Sequence, residues 1–347
     1  MSLTHTAYTT RNLIKFGGIG IIIFSLSWSI ITGSIKAYRK AHPPKIAPTV
    51  RYGKLPPINF PDFTPKVQSF NLELANDDFP KITDQAKVFI LYRSTSTLLA
   101  LEKDIKTAQK MGFVSKPQKL SNGLYRFENK SVQKTLTMNV LDGSFRIEYP
   151  YKKDQSIQMD GNPPIKEEAV SIATSFLNTA EKMTEDLKDG KQIVSFWKIT
   201  FKSLEPVSSL SEANAIRVDF IRQDLDGKFK IYSIQPQKSP ISILISNSRV
   251  ENKKIIEVDY KYAPIDRQSY STYPIKTPQQ AWQDLKNGNY WSPTHHSSTS
   301  LTIRQLELAY FEPNTQTNYI QPIFVFRGDH DFIAYVPAVS SEWISSN

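Results

Sequence analysis

The 347-residue chain has no cysteine at all, which excludes disulfide staples, thiolate nucleophiles and cysteine-ligated zinc. The same lack suits a bacterial protein that is exported and folds without oxidative cross-links. Histidine is scarce: His5, His42, His295, His296 and His330 are the full set. On a strand, His295 and His296 would point to opposite sides; with Ser292, Ser297 and Ser298 around them they read as a solvated loop, not a chelating pair. His330 lies between Asp329 and Asp331 in an expected hairpin turn, where polar residues are what exposure demands. The adjoining Arg327-Gly328-Asp329 spells an adhesion tripeptide, but three residues carry almost no specificity. Glycine is sparse too, 13 in all, and none forms a phosphate-cradling loop or dinucleotide fingerprint; G-x-S-x-G and H-E-x-x-H are also missing. The pairs Asp77-Asp78 and Glu167-Glu168 are exposed-type neighbours, the second suited to the first turn of a helix. No catalytic, cofactor-binding or metal-binding residue is expected, so the chain reads as a non-enzyme with no cofactor.

Acid is missing from residues 1–61, which carry Arg11, Lys15, Lys36, Arg39, Lys40, Lys45, Arg51 and Lys54. These eight account for most of the net charge of +10. They flank an uncharged stretch, Phe16 to Ile35, of which Phe16, Ile19, Ile22, Ile23, Phe24, Leu26, Trp28, Ile31 and Ile35 are the apolar anchors. Twenty residues at about 1.5 Å each span roughly 30 Å, the thickness of a bilayer core. A run this long, with Trp28 inside it and Lys36, Arg39 and Lys40 directly after, reads as an uncleaved single-pass anchor rather than a signal peptide. Charge that tracks the edges of a span points to lipid headgroups, not nucleic acid. Counting charge alone, Arg11 and Lys15 against Lys36, Arg39, Lys40 and Lys45, would keep the C-terminal region in the cytoplasm. The short, featureless tail 1–12 and the resemblance described below favour the opposite orientation.

The expected organisation is a tail (1–12), a membrane helix (13–36), a proline-rich extended stalk (37–65) and three α+β units (66–152, 153–265 and 266–347). The stalk's Pro43, Pro44, Pro48, Pro56, Pro57, Pro61 and Pro65 stiffen it, and Leu55, Ile58 and Phe60 suggest that its end docks on the first unit. The first unit reads as strands at Val67–Leu74 and Lys87–Tyr92 and a helix at Ser94–Met111. That helix has Ser96 as N-cap, Leu98, Leu99, Leu101, Ile105 and Ala108 on its apolar side, and Gly112 as terminator. A meander follows, with Asp142-Gly143 as a hairpin turn. The second unit has a helix across Pro164–Leu187, then strands from Val194 to Lys261 with a turn at Asp226-Gly227. The third has a helix at Thr277–Leu285, capped by Thr277 with Pro278 at its first position, then three strands. Tyr290-Trp291 falls in a loop and is either an exposed partner-binding anchor or a loop folded back on the core.

The third unit, from Ala281-Trp282-Gln283-Asp284-Leu285-Lys286-Asn287-Gly288 through Leu306–Phe311 and Gln321-Pro322-Ile323-Phe324-Val325-Phe326-Arg327-Gly328 to Phe332–Val339, resembles the YycI/YycH-type and PepSY-like proteins. Ala108–Phe113 is a fainter echo. The resemblance covers roughly residues 255–340. It implies a short helix followed by an antiparallel sheet, one membrane pass, an extracytoplasmic region and a non-enzymatic role; better-known members restrain a membrane sensor kinase. It supplies no catalytic residues. The expectation is a bacterial cytoplasmic-membrane protein that binds a protein or peptide in the envelope through sheet edges or concave faces, regulating a membrane sensor or protease. A structural subunit of an envelope or surface assembly is the alternative, homo-oligomeric, with Gly17, Gly18 and Gly20 allowing close helix approach. An unrecognised hydrolase comes third.

Overall fold

The computed structural model describes residues 17–18, 24–38, 46–61, 67–75, 78–92, 99–159, 161–236, 239–294, 300–313 and 317–346. Ser96, Leu98, Asp77, His5, His42, His295 and His296 lie outside them. The chain divides into two compact units, Met1–Pro48 and Thr49–Asn347. In the first, residues 24–38 form a helix, α1. Phe24, Leu26, Trp28, Ile30, Ile31 and Ile35 are exposed along it, Phe24 stacks on Trp28 one turn on, and Thr32 donates its hydroxyl back to the Trp28 carbonyl at 2.8 Å, as threonine does in apolar helices. Among the described residues no helix is long and apolar enough to cross a membrane.

The second unit is mixed α+β, with two large sheets and few helices. In chain order it contains β1 (Ser69–Leu72), β2 (Gln85–Leu91), α2 (Ala100–Lys110), β3 (Gln118–Ser121), β4 (Leu124–Asn129), β5 (Lys134–Asn139), β6 (Phe145–Glu148), α3 (Gln155–Met159), α4 (Lys166–Thr179) and α5 (Glu185–Lys188). There follow β7 (Lys191–Ile199), β8 (Leu204–Val207), β9 (Ala215–Ile221), β10 (Ile231–Tyr232), β11 (Ile241–Ser246), α6 (Glu251–Lys254), β12 (Ile255–Tyr260) and β13 (Ile265–Pro274). The last elements are α7 (Pro278–Lys286), β14 (Ser300–Phe311), β15 (Tyr319–Gly328) and β16 (Ile333–Pro337).

One sheet has nine strands in the order β3-β4-β5-β6-β12-β11-β9-β7-β8. The strands expected in the first and second units meet here, because β6 pairs with β12, Arg146 opposite Asp259. Its strands alternate, and one face is closed by helices: Ala108 of α2 and Ala169, Ala173 and Leu177 of α4 pack with Phe127, Leu136, Phe145, Val218 and Ile243. Alanines one turn apart let α4 lie close on the sheet. The expected helix from Pro164 to Leu187 is interrupted: Glu181 adopts φ +55°, its amide bonding to the Asn178 carbonyl and that of Lys182 to Leu177. That pair of bonds is a Schellman stop, and α5 starts afresh. Gly112, at φ +86°, ends α2 in the same way. Leu99, expected on the apolar side, is exposed because it precedes the first helical turn.

The other sheet has seven strands, β1-β14-β15-β2-β13, with β10 also beside β14 and β16 also beside β15. Here the chain returns to itself over long distances, since β2 from the expected first unit lies between β15 and β13. β13 was not anticipated; its polar Asp266–Thr272 run reads as loop, and a register shift between Asp266 and Tyr270 interrupts its pairing. The β14–β15 hairpin is buried on both faces. Ala281, Trp282 and Leu285 of α7 cover Phe324 and Phe326 on one side, while Trp291, Ile58 and Phe60 cover Phe311, Ile323 and Val325 on the other. Pro322 is tolerated inside β15 because it falls between the stretch paired with β2 and the stretch paired with β16, where the missing N–H breaks no ladder bond on that side. The capping of α7 is as expected: Gln280 N–H donates to the Thr277 hydroxyl at 3.2 Å and Thr277 N–H to the Gln280 side chain at 2.8 Å.

The end of the expected stalk docks, but on the seven-stranded sheet. Val50 N–H donates to the Thr272 carbonyl, Leu55 is fully buried with Val88, Tyr273 and Val339, and Phe60 stacks on Trp291 with rings 5.5 Å apart. Leu55 also pairs in parallel with Ile344: Leu55 N–H donates to the Trp343 carbonyl and Ser345 N–H to that of Leu55, both at 2.8 Å.

The two sheets meet at a charged joint. Arg222, just past β9, donates from Nε to Asp186 of α5 at 3.0 Å, and from its two terminal nitrogens to Glu312, just past β14, and to the Ala263 carbonyl, each at 2.7 Å. Its guanidinium lies 4.3 Å from the centre of the Tyr262 ring, and its side chain is only 4% exposed. Burial opposes any charge here, yet the guanidinium, with the hydroxyls of Thr184 and Tyr262, holds the Asp186 carboxyl below its usual range.

Candidate binding surface

The face of the nine-stranded sheet opposite α2 and α4 is built by the same alternation that makes the core. Phe145 and Ile147 of β6 point to the helices, so Arg146 and Glu148 point away. Register then places side chains in rows across the strands. One row runs Arg126, Thr137, Arg146, Asp259, Ser242, Asp219, Ile193. The next runs Glu128, Thr135, Glu148, Glu257, Leu244, Arg217, Ser195.

Two arginines organise these rows. Arg146 reaches Glu148 at 3.1 Å along its own strand and Asp259 at 3.5 Å across to β12. Burial works against its charge, but Asp259, Glu148 and Glu257 together push its pKa up. Glu148 stands directly opposite Glu257, an arrangement that like charges alone would destabilise. The Tyr151 hydroxyl relieves it by donating to Glu257 at 3.2 Å; burial first, then that carboxylate, push the phenol pKa up, so it stays a donor. Arg217 pairs with Asp219 at 2.9 Å and lies 4.3 Å from the Trp197 ring centre, while the Trp197 indole donates to Ser195. Arg126, Glu128, Arg146, Glu148 and Ile193 are exposed. The surface therefore offers fixed, alternating charges beside a half-buried aromatic. Among the described residues no group of three or more His, Asp or Glu side chains could hold a metal ion.

The residues singled out from sequence fall elsewhere. Tyr290 and Trp291 are buried, 9% and 6% exposed, so of the two readings the loop folded back on the core holds and the exposed partner-binding anchor does not. Trp291 pairs its backbone with Tyr335 of β16 and both rings pack on the sheet, because the loop after α7 folds back across it. Of the anchor residues, Phe24, Leu26, Trp28, Ile31 and Ile35 are exposed on α1, as is Lys36; Phe16, Ile19, Ile22, Ile23, Arg11, Lys15, Arg39 and Lys40 lie outside the described residues. Arg146, Asp259, Arg217 and Trp197 were not singled out. Their signal was present, in the charged residue at every second position of Phe-Arg-Ile-Glu, Ile-Arg-Val-Asp and Ile-Glu-Val-Asp, but which strands stand side by side is long-range information.

No family model matches the chain, and no curated protein does. Among solved structures it is similar to an uncharacterized protein from Eubacterium rectale, at 14% identity and a TM-score of 0.41, covering 73% of this chain and 83% of that one. It is also similar to the Bacillus megaterium YpeB C-terminal domain, at 12% identity and a TM-score of 0.31, covering 71% of this chain and 95% of that one. Identity at this level transfers no site residue.

Proposed function

We propose that the chain is a non-catalytic, single-pass protein of the bacterial cytoplasmic membrane whose extracytoplasmic region binds a protein or peptide of the envelope on the open face of the nine-stranded sheet. The observation that carries this reading is the asymmetry of that sheet: one face is sealed by α2 and α4, while the other, covered around Leu244 and Trp197 by the α3 segment, leaves Arg126, Glu128, Arg146 and Glu148 of β4 and β6 exposed. The anchor draws support from α1, whose large apolar side chains are all exposed and call for an apolar surround. The sequence resemblance over residues 255–340 supports reading the helix-plus-sheet modules as PepSY-like units, in a protein that regulates a membrane sensor or protease through contact.

A photo-crosslinking side chain at Thr137, centred between Arg126 and Arg146, tests the surface in intact membranes, with Lys103 on exposed α2 as control. A discrete crosslinked envelope protein from the first position alone, lost on Arg146→Glu, is the expected result. Equal products from both positions sink the proposal, and crosslinks only to further copies of the chain replace it with a structural assembly. Because no native thiol interferes, Ser131→Cys and Ser2→Cys in separate variants report orientation by impermeant maleimide labelling. Labelling of intact cells at residue 131 alone is expected.

A further inference from the structure

The seven-stranded sheet holds a cavity of about 270 Å³ between the Pro56–Asn59 segment and the connecting end of the β14–β15 hairpin. We propose that this cavity is a binding site for a neutral, single-ring saccharide, a function separate from the open face of the other sheet. Three features select that class. None of the described lining residues is charged, so among them a phosphate, carboxylate or ammonium ligand would lose its hydration with nothing to replace it. Side-chain amides and a hydroxyl are dense around it, from Asn59, Thr317, Asn318 and Gln321, and an apolar side chain of a peptide would leave them desolvated and unpaired. A ring bearing several hydroxyls, or an acetamido group, both donates and accepts, as each carboxamide requires. Half-buried Tyr319 adds aromatic surface for the C–H face of such a ring, with Phe311 buried beneath it.

Size and rigidity agree with one ring. The volume lies just below the roughly 300 Å³ at which drug-sized sites begin. The walls are already in place. Gln321 donates to the Pro56 carbonyl at 2.8 Å, tying the segment to the sheet, and Tyr319 is stacked on Tyr52 with centroids 5.2 Å apart. Asn59 and Asn318 are exposed at the rim, so they can engage a ligand without breaking the fold.

The test is saturation-transfer NMR on the full chain in phosphocholine-headgroup micelles, which carry no sugar. N-acetylglucosamine is the probe and N-acetylproline amide the contrasting one. Transfer to the sugar ring protons and none to the prolyl probe is expected. The double variant Asn59→Ala/Asn318→Ala should weaken the sugar about tenfold, as loss of two hydrogen bonds implies, with its thermal unfolding unchanged. No transfer to the sugar, stronger transfer to the prolyl probe, or undiminished transfer in the double variant would each overturn the assignment.

Discussion

The two sheets of the folded region use their faces differently. The seven-stranded sheet is buried on both sides, by α7 on one and by Ile58, Phe60 and Trp291 on the other, and β15 accordingly reads Ile-Phe-Val-Phe without alternation. The nine-stranded sheet is covered along one face by α2 and α4, while its other face is covered only in part, where Ile157 of α3 and Tyr149 pack on Ile199, Ala215 and Leu244; its strands β6, β9 and β12 alternate apolar with charged. A sheet with no free face can offer only its edges and pockets. A sheet covered only in part on its second face keeps an ordered charged surface at the uncovered end, on β4, β5 and β6.

That contrast can be broken by mutation, most severely in the two-sided sheet. Phe326→Ala removes a fully buried ring packed 6.2 Å from Trp282 and should cost about 3–5 kcal/mol, seen as a lower urea midpoint with tryptophan fluorescence as reporter. A cost below about 1 kcal/mol would mean that this face is not a packed core. Next comes the joint. Arg222→Met strands the buried carboxylates of Asp186 and Glu312, an expected loss of about 3 kcal/mol, with faster hydrogen exchange in β9 and β14 together. Unchanged exchange in both strands would show that the sheets are held by other contacts.

A smaller change of opposite sign is expected at Lys134. Burial pushes its ammonium down from the usual 10.5 to about 8, against the pull of Glu251. Below pH 8 the amine is charged in folded and unfolded chains alike, and the fold bears the full burial penalty; between about 8 and 10.5 only the unfolded chain binds the proton, so stability rises with pH. Lys134→Met should therefore stabilise by about 1 kcal/mol at neutral pH, with the advantage shrinking as pH rises through that window. An advantage that grows with pH contradicts the burial argument. Least of all, Arg146→Ala on the open face should move the urea midpoint by less than about 0.5 kcal/mol, while abolishing the Thr137 crosslink. A large loss of stability would reassign that row of charges from binding to fold.

Local grammar was legible where it rests on local chemistry. The β11 run at Ile241–Ser246, the capping box of Thr277 and Gln280, and the Asp226-Gly227 turn, with φ +51° and +68°, all follow from neighbours in sequence. The break after α4 was not legible, since Glu181 is a poor advertisement for a left-handed stop and the bonds around it decide. Sheet membership was hidden for a different reason: β2 joins β15 and β13 across more than 170 residues, and strand alternation is silent about partners. The open surface was half visible, in charges at every second position, and became a surface only once β6, β12, β11 and β9 were side by side. Tyr290 and Trp291 show the converse, because an aromatic pair in a loop carries no mark that says which way the loop folds.

The pairing of Leu55 with Ile344 makes the folded region close to a ring in topology. Its opening segment and its last strand-like turn leave from one place on one edge, so the order in which the elements are written is not what holds them. A circular permutant opened at Asp142-Gly143, an exposed tight turn, and joined by a short flexible bridge before Thr49 would keep every ladder of both sheets and is expected to fold. The same closure means that whatever frees Ile344 also frees Leu55, so the two ends act as a single latch.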